Sequence, residues 1–152
     1  MTTVELGMPA EGPIADAITA SVATQGEKQT ALKAKDIPPV EVRGDVDDAD
    51  ILVVGWGSTW GAISGAVDRA RALGHKVAQT HIVHLNPFPA NLGEVLTKYP
   101  RVLVPEMNMG QLSRLLRAEF LVDTRSVTKV RGVPFTAGEL EQAILDHLGG
   151  LL

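Results

Sequence analysis

The chain has 152 residues, of which 45% are hydrophobic and 21% charged, a composition typical of one globular domain rather than a disordered segment. A net charge of -4 gives no support for a nucleic-acid binder, whose affinity would rest on a basic face. The 0 cysteines exclude disulfides and thiolate-bound Fe–S or zinc sites within the chain. No apolar run approaches the roughly 18 residues of a membrane span and no signal-peptide pattern opens the sequence, so we expect a cytoplasmic protein without a membrane partner.

The first third of the chain is poorer in regular apolar patterns than the remainder. We expect residues 1–48 to form an N-terminal arm or linker, partly helical or mobile. Thin apolar stripes predict short helices at 14–22 and 28–35, which would be marginal alone. A short edge strand is predicted at 40–42, and residues 49–152 are expected to form the domain proper.

A continuous apolar, β-branched run at 51–54 predicts a strand that is covered on both faces, as in a parallel sheet. Gly55 and Gly57 permit a sharp turn after it. Ser58 or Thr59 is expected to cap the helix that follows.

Strands and helices then alternate to the end of the chain. Further strands are predicted at 76–83, at 101–104 and within 121–130, with Pro105 expected to end the third of the four. Helices are predicted between them, the first ended by Gly74; capping-box spacing marks the start of two others at Asn108–Gln111 and Thr136–Glu139. This alternation predicts an α/β fold, a three-layer α/β/α sandwich with a mainly parallel sheet.

Ligands of such sheets bind beyond the carboxyl ends of the strands, which directs attention to the loops at 55–61, 84–90 and 105–110. The first loop carries glycines at 55, 57 and 61, but Trp60 stands where a dinucleotide fingerprint has its third glycine. A structural turn, or a turn that presents Trp56 and Trp60 to a partner, is therefore favoured over a dinucleotide site.

Two further loop features are candidates for a metal site or for a catalytic residue. His81 and His84 would point to opposite faces of a strand and could share a metal only if the strand broke between them, so no metal is expected. Glu106, directly after a buried strand, could act as a general base or bind the amides of the next helix, and the second role is favoured. Without a nucleophile elbow, we assign no catalytic residue.

Four motifs occur in order: Gly55-Trp-Gly-Ser-Thr-Trp-Gly61, Leu85-Asn-Pro-Phe-Pro89, Val104-Pro-Glu-Met-Asn-Met-Gly-Gln-Leu112 and Val130-Arg-Gly-Val-Pro-Phe135. Together they resemble the C-terminal domain, core domain II, of the α subunit of 2-oxoacid:ferredoxin oxidoreductases, and the 2-oxoglutarate type most closely. The resemblance covers residues 50–148 and implies a fold similar to the C-terminal domain of transketolase.

The resemblance also implies a function. The complete enzymes oxidise 2-oxoacids with thiamine diphosphate, Fe–S clusters and coenzyme A, and reduce ferredoxin. Their thiamine site lies between the pyrimidine-binding part of the α subunit and the β subunit, so this chain is expected to bind no cofactor by itself and to be an inactive fragment of an oligomer that contributes to assembly. The alternative is an autonomous domain that binds a nucleotide or coenzyme A. The expected contact surface comprises Trp56, Ser58, Thr59, Trp60, Asn86, Phe88, Glu106 and Asn108.

Overall fold

The computed structural model describes residues 36–150, so the predicted helices at 14–22 and 28–35 lie outside the described residues. The strands are β1 (Val42–Gly44), β2 (Ile51–Trp56), β3 (Val77–Ile82), β4 (Val102–Glu106) and β5 (Thr124–Thr128). The helices are α1 (Trp60–Ala72), α2 (Leu92–Lys98), α3 (Gln111–Phe120) and α4 (Ala137–Leu148), and a 3-10 turn at Gly57–Thr59 leads into α1. Within residues 36–150, no helix combines the length and the apolar character that crossing a bilayer requires.

The five strands form one sheet in the order β1-β3-β2-β4-β5. β2, β3, β4 and β5 run parallel, whereas β1 pairs with β3 in the antiparallel sense. The predicted mainly parallel sheet is therefore confirmed. The edge strand predicted at 40–42 is present two residues later along the chain, at Val42–Gly44.

Helices cover both faces of the sheet because the side chains of β2 alternate between two apolar cores. Ile51 and Val53 belong to the core that α1 and α4 complete. Leu52 and Val54 belong to the opposite core, which α2 and α3 complete. All four side chains are fully buried, and the arrangement confirms the predicted three-layer α/β/α sandwich.

Pro105 does not end the third parallel strand, contrary to the prediction, because β4 continues through it to Glu106. Backbone groups alternate in direction along β4: the carbonyl of Arg101 accepts from Leu52 on β2, and that of Glu106 accepts from Lys129 on the β5 side. Pro105 therefore faces β2, beyond the last β2–β4 pair at Val53. Its missing N–H interrupts no ladder hydrogen bond, so proline is tolerated in an interior strand.

Residues 36–48 pack against the sheet and helices through specific hydrogen bonds. The Asn91 side chain accepts from the backbone N–H of Val40 and donates to its carbonyl, both at 2.9 Å. The Tyr99 hydroxyl donates to the Val46 carbonyl at 2.7 Å. The domain boundary at 48/49 remains a prediction, but residues before this boundary form hydrogen bonds with the domain that follows it.

The predicted end of α1 and the predicted start of α4 are both confirmed. Gly74 follows α1 with a φ of +91°, the left-handed conformation that glycine adopts without steric cost. Thr136 caps α4 by accepting from the Glu139 amide, while the Glu139 carboxylate accepts from the Thr136 amide. Lys129 donates to the same carboxylate at 2.7 and 2.8 Å, which ties the segment after β5 to the start of α4.

The Lys129–Glu139 pair makes part of the stability pH-dependent. The Lys129 hydrogen bond, with help from the Thr136 amide, lowers the pKa of Glu139 from 4.5 to about 2. A carboxyl whose pKa is lowered by folding stabilises the fold above its unfolded pKa and ceases to do so as pH falls through its folded pKa. We expect Lys129→Met to destabilise the chain most above pH 4.5, with the difference from the parent shrinking toward pH 2. Urea unfolding of the parent and the variant as a function of pH measures this difference in stability. Arg131→Met, at an exposed position two residues away, should show no such trend.

Candidate functional site

The strand order creates a crevice between the loops that follow β2 and β4. From β2 the chain crosses to β3 on one side and then returns to β4 on the other, so the two loops diverge at the carboxyl edge of the sheet. This is the topological switch point at which open α/β sheets bind ligands. A cavity of about 230 Å³ lies there, lined by Trp56, Gly57, Ser58, Thr59, Met107 and Asn108. Four of the predicted contact residues therefore share one crevice.

Thr59 shapes the wall of this crevice with its hydroxyl group. Its Oγ1 donates to the Trp56 carbonyl at 2.8 Å and accepts from the Trp56 amide at 3.1 Å. Thr59 occupies the N-cap position of α1, but its side chain makes no capping hydrogen bond to the helix. The predicted side-chain cap from Ser58 or Thr59 is therefore wrong, because the hydroxyl of Thr59 closes the preceding 3-10 turn and α1 continues directly from that turn.

The three glycines of the turn differ in how strictly the structure requires glycine at their positions. A Cβ on Gly55 would lie 2.7 Å from Ile63 Cδ1 and 3.0 Å from His81 Nδ1, so packing alone requires glycine there. Gly57 has a φ of +58°, which favours glycine on backbone grounds. A Cβ on Gly61 would meet nothing within 4 Å. The fold thus explains Gly55 and Gly57, whereas nothing in the structure requires glycine at position 61.

Glu106 is fully buried at the end of β4 and serves α3. Its Oε2 accepts from the Leu112 amide at 2.7 Å, and its Oε1 accepts from the Ser113 amide at 2.9 Å. The Ser126 hydroxyl lies 3.3 Å from Oε1. Two amides of the first helical turn thus hold the carboxylate at the positive end of the helix dipole. Glu106 is a helix-capping residue beneath the surface, so it drops out of the predicted contact surface.

Asn108 organises the loop above Glu106 rather than a capping box. Its Oδ1 accepts from the amides of Gly110 at 2.8 Å and Gln111 at 2.9 Å. Gly110, with a φ of +82°, occupies the N-cap position, and α3 begins at Gln111. The predicted Asn108–Gln111 capping box is therefore only partly correct. The Asn108 side chain accepts from the Gln111 amide, but the N-cap residue is Gly110, and Glu106 binds the next two helix amides.

Trp60 lies in a second cavity, of about 460 Å³, whose lining includes Arg43, His81 and His84. The Trp60 side chain is 37% exposed, packs edge-on against His81 at 5.3 Å between ring centroids, and lies under Arg43. Burial lowers the pKa of His81 because desolvation disfavours the imidazolium. β3 ends at Ile82, between the two histidines. Residues 36–150 nevertheless hold no group of three potential His, Cys, Asp or Glu metal ligands.

Asn86 and Phe88 lie apart from the other predicted contact residues. They line a cavity of about 610 Å³ between the segment at 85–90 and the outer side of α3. Phe88 packs against Phe120 with 5.5 Å between ring centroids, and the Asn86–Pro87 peptide bond is cis. The predicted contact surface is therefore divided among three cavities, with Glu106 buried below them.

The protein is thus a parallel α/β/α sandwich whose carboxyl-edge loops present aromatic, hydroxyl and amide groups. The buried carboxylate of Glu106 accepts hydrogen bonds from the first turn of α3. Residues 49–139 match the model of the pyruvate:ferredoxin oxidoreductase core domain II family. The chain belongs to this family.

Relatives define the type more closely. The chain is 50% identical over 125 residues to the 2-oxoglutarate oxidoreductase subunit KorA of Mycobacterium tuberculosis, a match that covers 82% of this chain and 19% of the relative. It is 33% identical over 111 residues to the 2-oxoglutarate synthase subunit KorA of Methanocaldococcus jannaschii, covering 70% of this chain and 29% of that subunit. The chain therefore spans less than a third of the length of either relative.

A solved structure agrees with these matches. The chain resembles the 2-oxoglutarate:ferredoxin oxidoreductase of Magnetococcus marinus, a structure with 2-oxoglutarate, coenzyme A and succinyl-CoA bound, at a TM-score of 0.71 and 28% identity. The match covers 95% of this chain and 25% of that one. The similarity is to one part of a larger enzyme chain.

Proposed function

We propose that this chain is the domain II portion of the α subunit of a 2-oxoglutarate:ferredoxin oxidoreductase and that it contributes to assembly of the enzyme without catalysing a step alone. The observation that carries the proposal is the 50% identity to a KorA subunit over 82% of this chain. A second KorA subunit and the Magnetococcus marinus enzyme support 2-oxoglutarate as the substrate class of the whole enzyme.

The described residues do not fit two of the cofactors that the family resemblance implies, Fe–S clusters and thiamine diphosphate with its metal ion. With 0 cysteines, the chain cannot ligate an Fe–S cluster through thiolates. The described residues offer no three-ligand group for the metal ion that would accompany a diphosphate. Glu106, the buried carboxylate of the carboxyl-edge loops, already binds two helix amides. We therefore assign thiamine diphosphate and Fe–S binding to other parts of the enzyme.

The carboxyl-edge loops are the surface that we assign to contact with other parts of the enzyme. Trp60 is partly exposed, and two apolar side chains on neighbouring loops are more exposed, Val83 at 76% and Met109 at 67%. Aromatic side chains and methionine are enriched at protein interfaces. The partners would be the pyrimidine-binding part of the α subunit and the β subunit, with ferredoxin reached only through the assembled enzyme.

A domain exchange tests the proposal. The chain should replace the corresponding segment of the Mycobacterium tuberculosis KorA subunit, co-expressed with the partner subunits of that enzyme, and retain 2-oxoglutarate-dependent dye reduction. The same subunit lacking the segment, and this chain alone, should show none, because each lacks part of the assembled enzyme that we propose. Turnover by the isolated chain would contradict an assembly role, and so would full activity of the subunit without the segment.

A matched pair of variants tests the contact surface within the same exchange. Trp60→Ala should lower the yield of assembled enzyme, since it removes an exposed aromatic side chain at the carboxyl edge. Leu73→Ala removes an apolar side chain that is 62% exposed, at the other end of α1, and should leave the yield unchanged. Size-exclusion chromatography measures the yield, and equal effects would argue against this surface.

The alternative of an autonomous nucleotide or coenzyme A binder is not favoured. The family match places residues 49–139 within one domain of a larger enzyme class. Gly55, the first glycine of the turn, is explained by packing against Ile63 and His81.

A further inference from the structure

A polar cavity of about 220 Å³ lies at the amino edge of the sheet, at the opposite end of the domain from the loops considered above. It is built where β4 and β5 begin and where α4 ends. Its lining comprises Pro100, Arg101, Val102, Asp123, Arg125, His147 and Gly150. The proposed assembly role uses none of these residues.

Positive charge exceeds negative charge around this cavity. Asp123 is shared between Arg117, at 2.6 Å, and Arg125, at 3.6 Å. The Arg101 guanidinium makes no hydrogen bond or ion pair with any residue in the part of the chain that the structure describes. The cavity lining therefore holds two guanidinium groups and one carboxylate, and the exposed Arg101 side chain is the one not paired with that carboxylate.

His147, in the last turn of α4, adds a buried ring nitrogen to the lining of this cavity. The residue is only 7% exposed, and its Nδ1 is buried without a hydrogen-bond partner among residues 36–150. A buried polar atom left unpaired is costly and calls for an explanation. Burial first, and then the charges of Arg125 and Arg101, lower the pKa of His147, while Asp123 acts in the opposite direction.

We infer that this cavity binds a small oxyanion, a phosphate or carboxylate group, through Arg101, Arg125 and His147. Guanidinium groups present planar N–H donors that match the oxygens of both ligand classes. An anion between the arginines would offset the repulsion that now opposes protonation of His147, so the imidazolium could become a third donor. A bound oxyanion would pair with the Arg101 guanidinium and with the buried ring of His147, and it would balance the excess positive charge.

NMR titration of the full chain with inorganic phosphate, at constant ionic strength, tests the inference. The His147 side-chain signals should shift saturably, and saturating phosphate should raise the pKa of His147. Arg101, Arg125 and Asp123 are the charged groups that face the imidazole, and only the first two repel its protonated form. A parallel titration with acetate identifies the ligand class: a response to either anion supports the site, and a response to neither overturns it.

Variants distinguish a site from general attraction of anions to a positive surface. Arg101→Ala and Arg125→Ala should each weaken phosphate binding by about tenfold, the effect of losing one charge-assisted hydrogen bond. Asp123→Asn should strengthen binding by about threefold, since it removes a competing carboxylate. Arg131→Ala, outside the cavity lining, should change nothing. Equal weakening by all three arginine variants would refute a built site, as would weaker binding in Asp123→Asn.

Discussion

Replacing Glu106 by glutamine is expected to lower the free energy of unfolding by about 3 kcal/mol. This is the typical cost of losing a charge-assisted hydrogen bond and leaving a buried donor unsatisfied. The carboxylate is fully buried and accepts from the amides of Leu112 and Ser113. Glutamine keeps the volume but turns one acceptor oxygen into an NH₂ donor that faces a backbone donor. It also removes the negative charge that the N-terminus of α3 favours.

Glu119→Gln is the matched control for this experiment. Glu119 lies on the same helix but is exposed. Its replacement should change stability by less than about 0.5 kcal/mol, as for an ordinary surface substitution. Urea unfolding of the three proteins, with equal m-values required, measures the difference. If both variants lost the same stability, the helix amides would not depend on Glu106.

Replacing Gly55 by alanine is expected to destabilise the chain by about 2 kcal/mol, a typical cost of overpacking a filled core. The new Cβ would lie 2.7 Å from Ile63 Cδ1, 3.0 Å from His81 Nδ1 and 3.1 Å from Thr59 Oγ1. β2 is the central strand of the parallel sheet, so its backbone cannot retreat without disturbing the strands on both sides.

Gly61→Ala makes the same chemical change six residues later. No atom lies within 4 Å of that Cβ, and the position is within the first turn of α1. Stability should therefore stay constant or rise by up to about 1 kcal/mol from the higher helix propensity of alanine. Thermal and urea unfolding compare the pair. A stable, well-folded Gly55→Ala variant would argue against the packing explanation and would reopen the question of a ligand close to this turn.

Local patterns in the sequence were sufficient for the layers of the fold but not for every boundary. The apolar run at 51–54 indicated a doubly covered strand because such a strand needs apolar residues on both faces. Pro105 was predicted to end β4 because proline breaks ladders in general. Its tolerance depends on which neighbour its missing N–H would face, and that depends on strand order, which is a long-range property.

Strand order also explains why the predicted contact residues are divided among separate cavities. The loops after the three strands were correctly expected at one edge. β3 and β4 lie on opposite sides of β2, however, so Trp56 and Asn108 meet while Asn86 does not join them. The amino-edge cavity was missed because Arg101, Arg125 and His147 are far apart in sequence, and no local motif links them.

The antiparallel sense of β1 has a consequence for how this domain can be attached to other domains. Because β1 runs against β3, the residues just before it, Pro38 and Pro39, lie beside His84 and Pro89, beyond the end of β3. The described residues before β1 thus lie next to the carboxyl-edge loops, whereas α4 ends at the far side, beside Arg101. A single reversed strand of three residues therefore places residues 38 and 39 at the face that we assign to contact, at the opposite end of the domain from the amino-edge cavity.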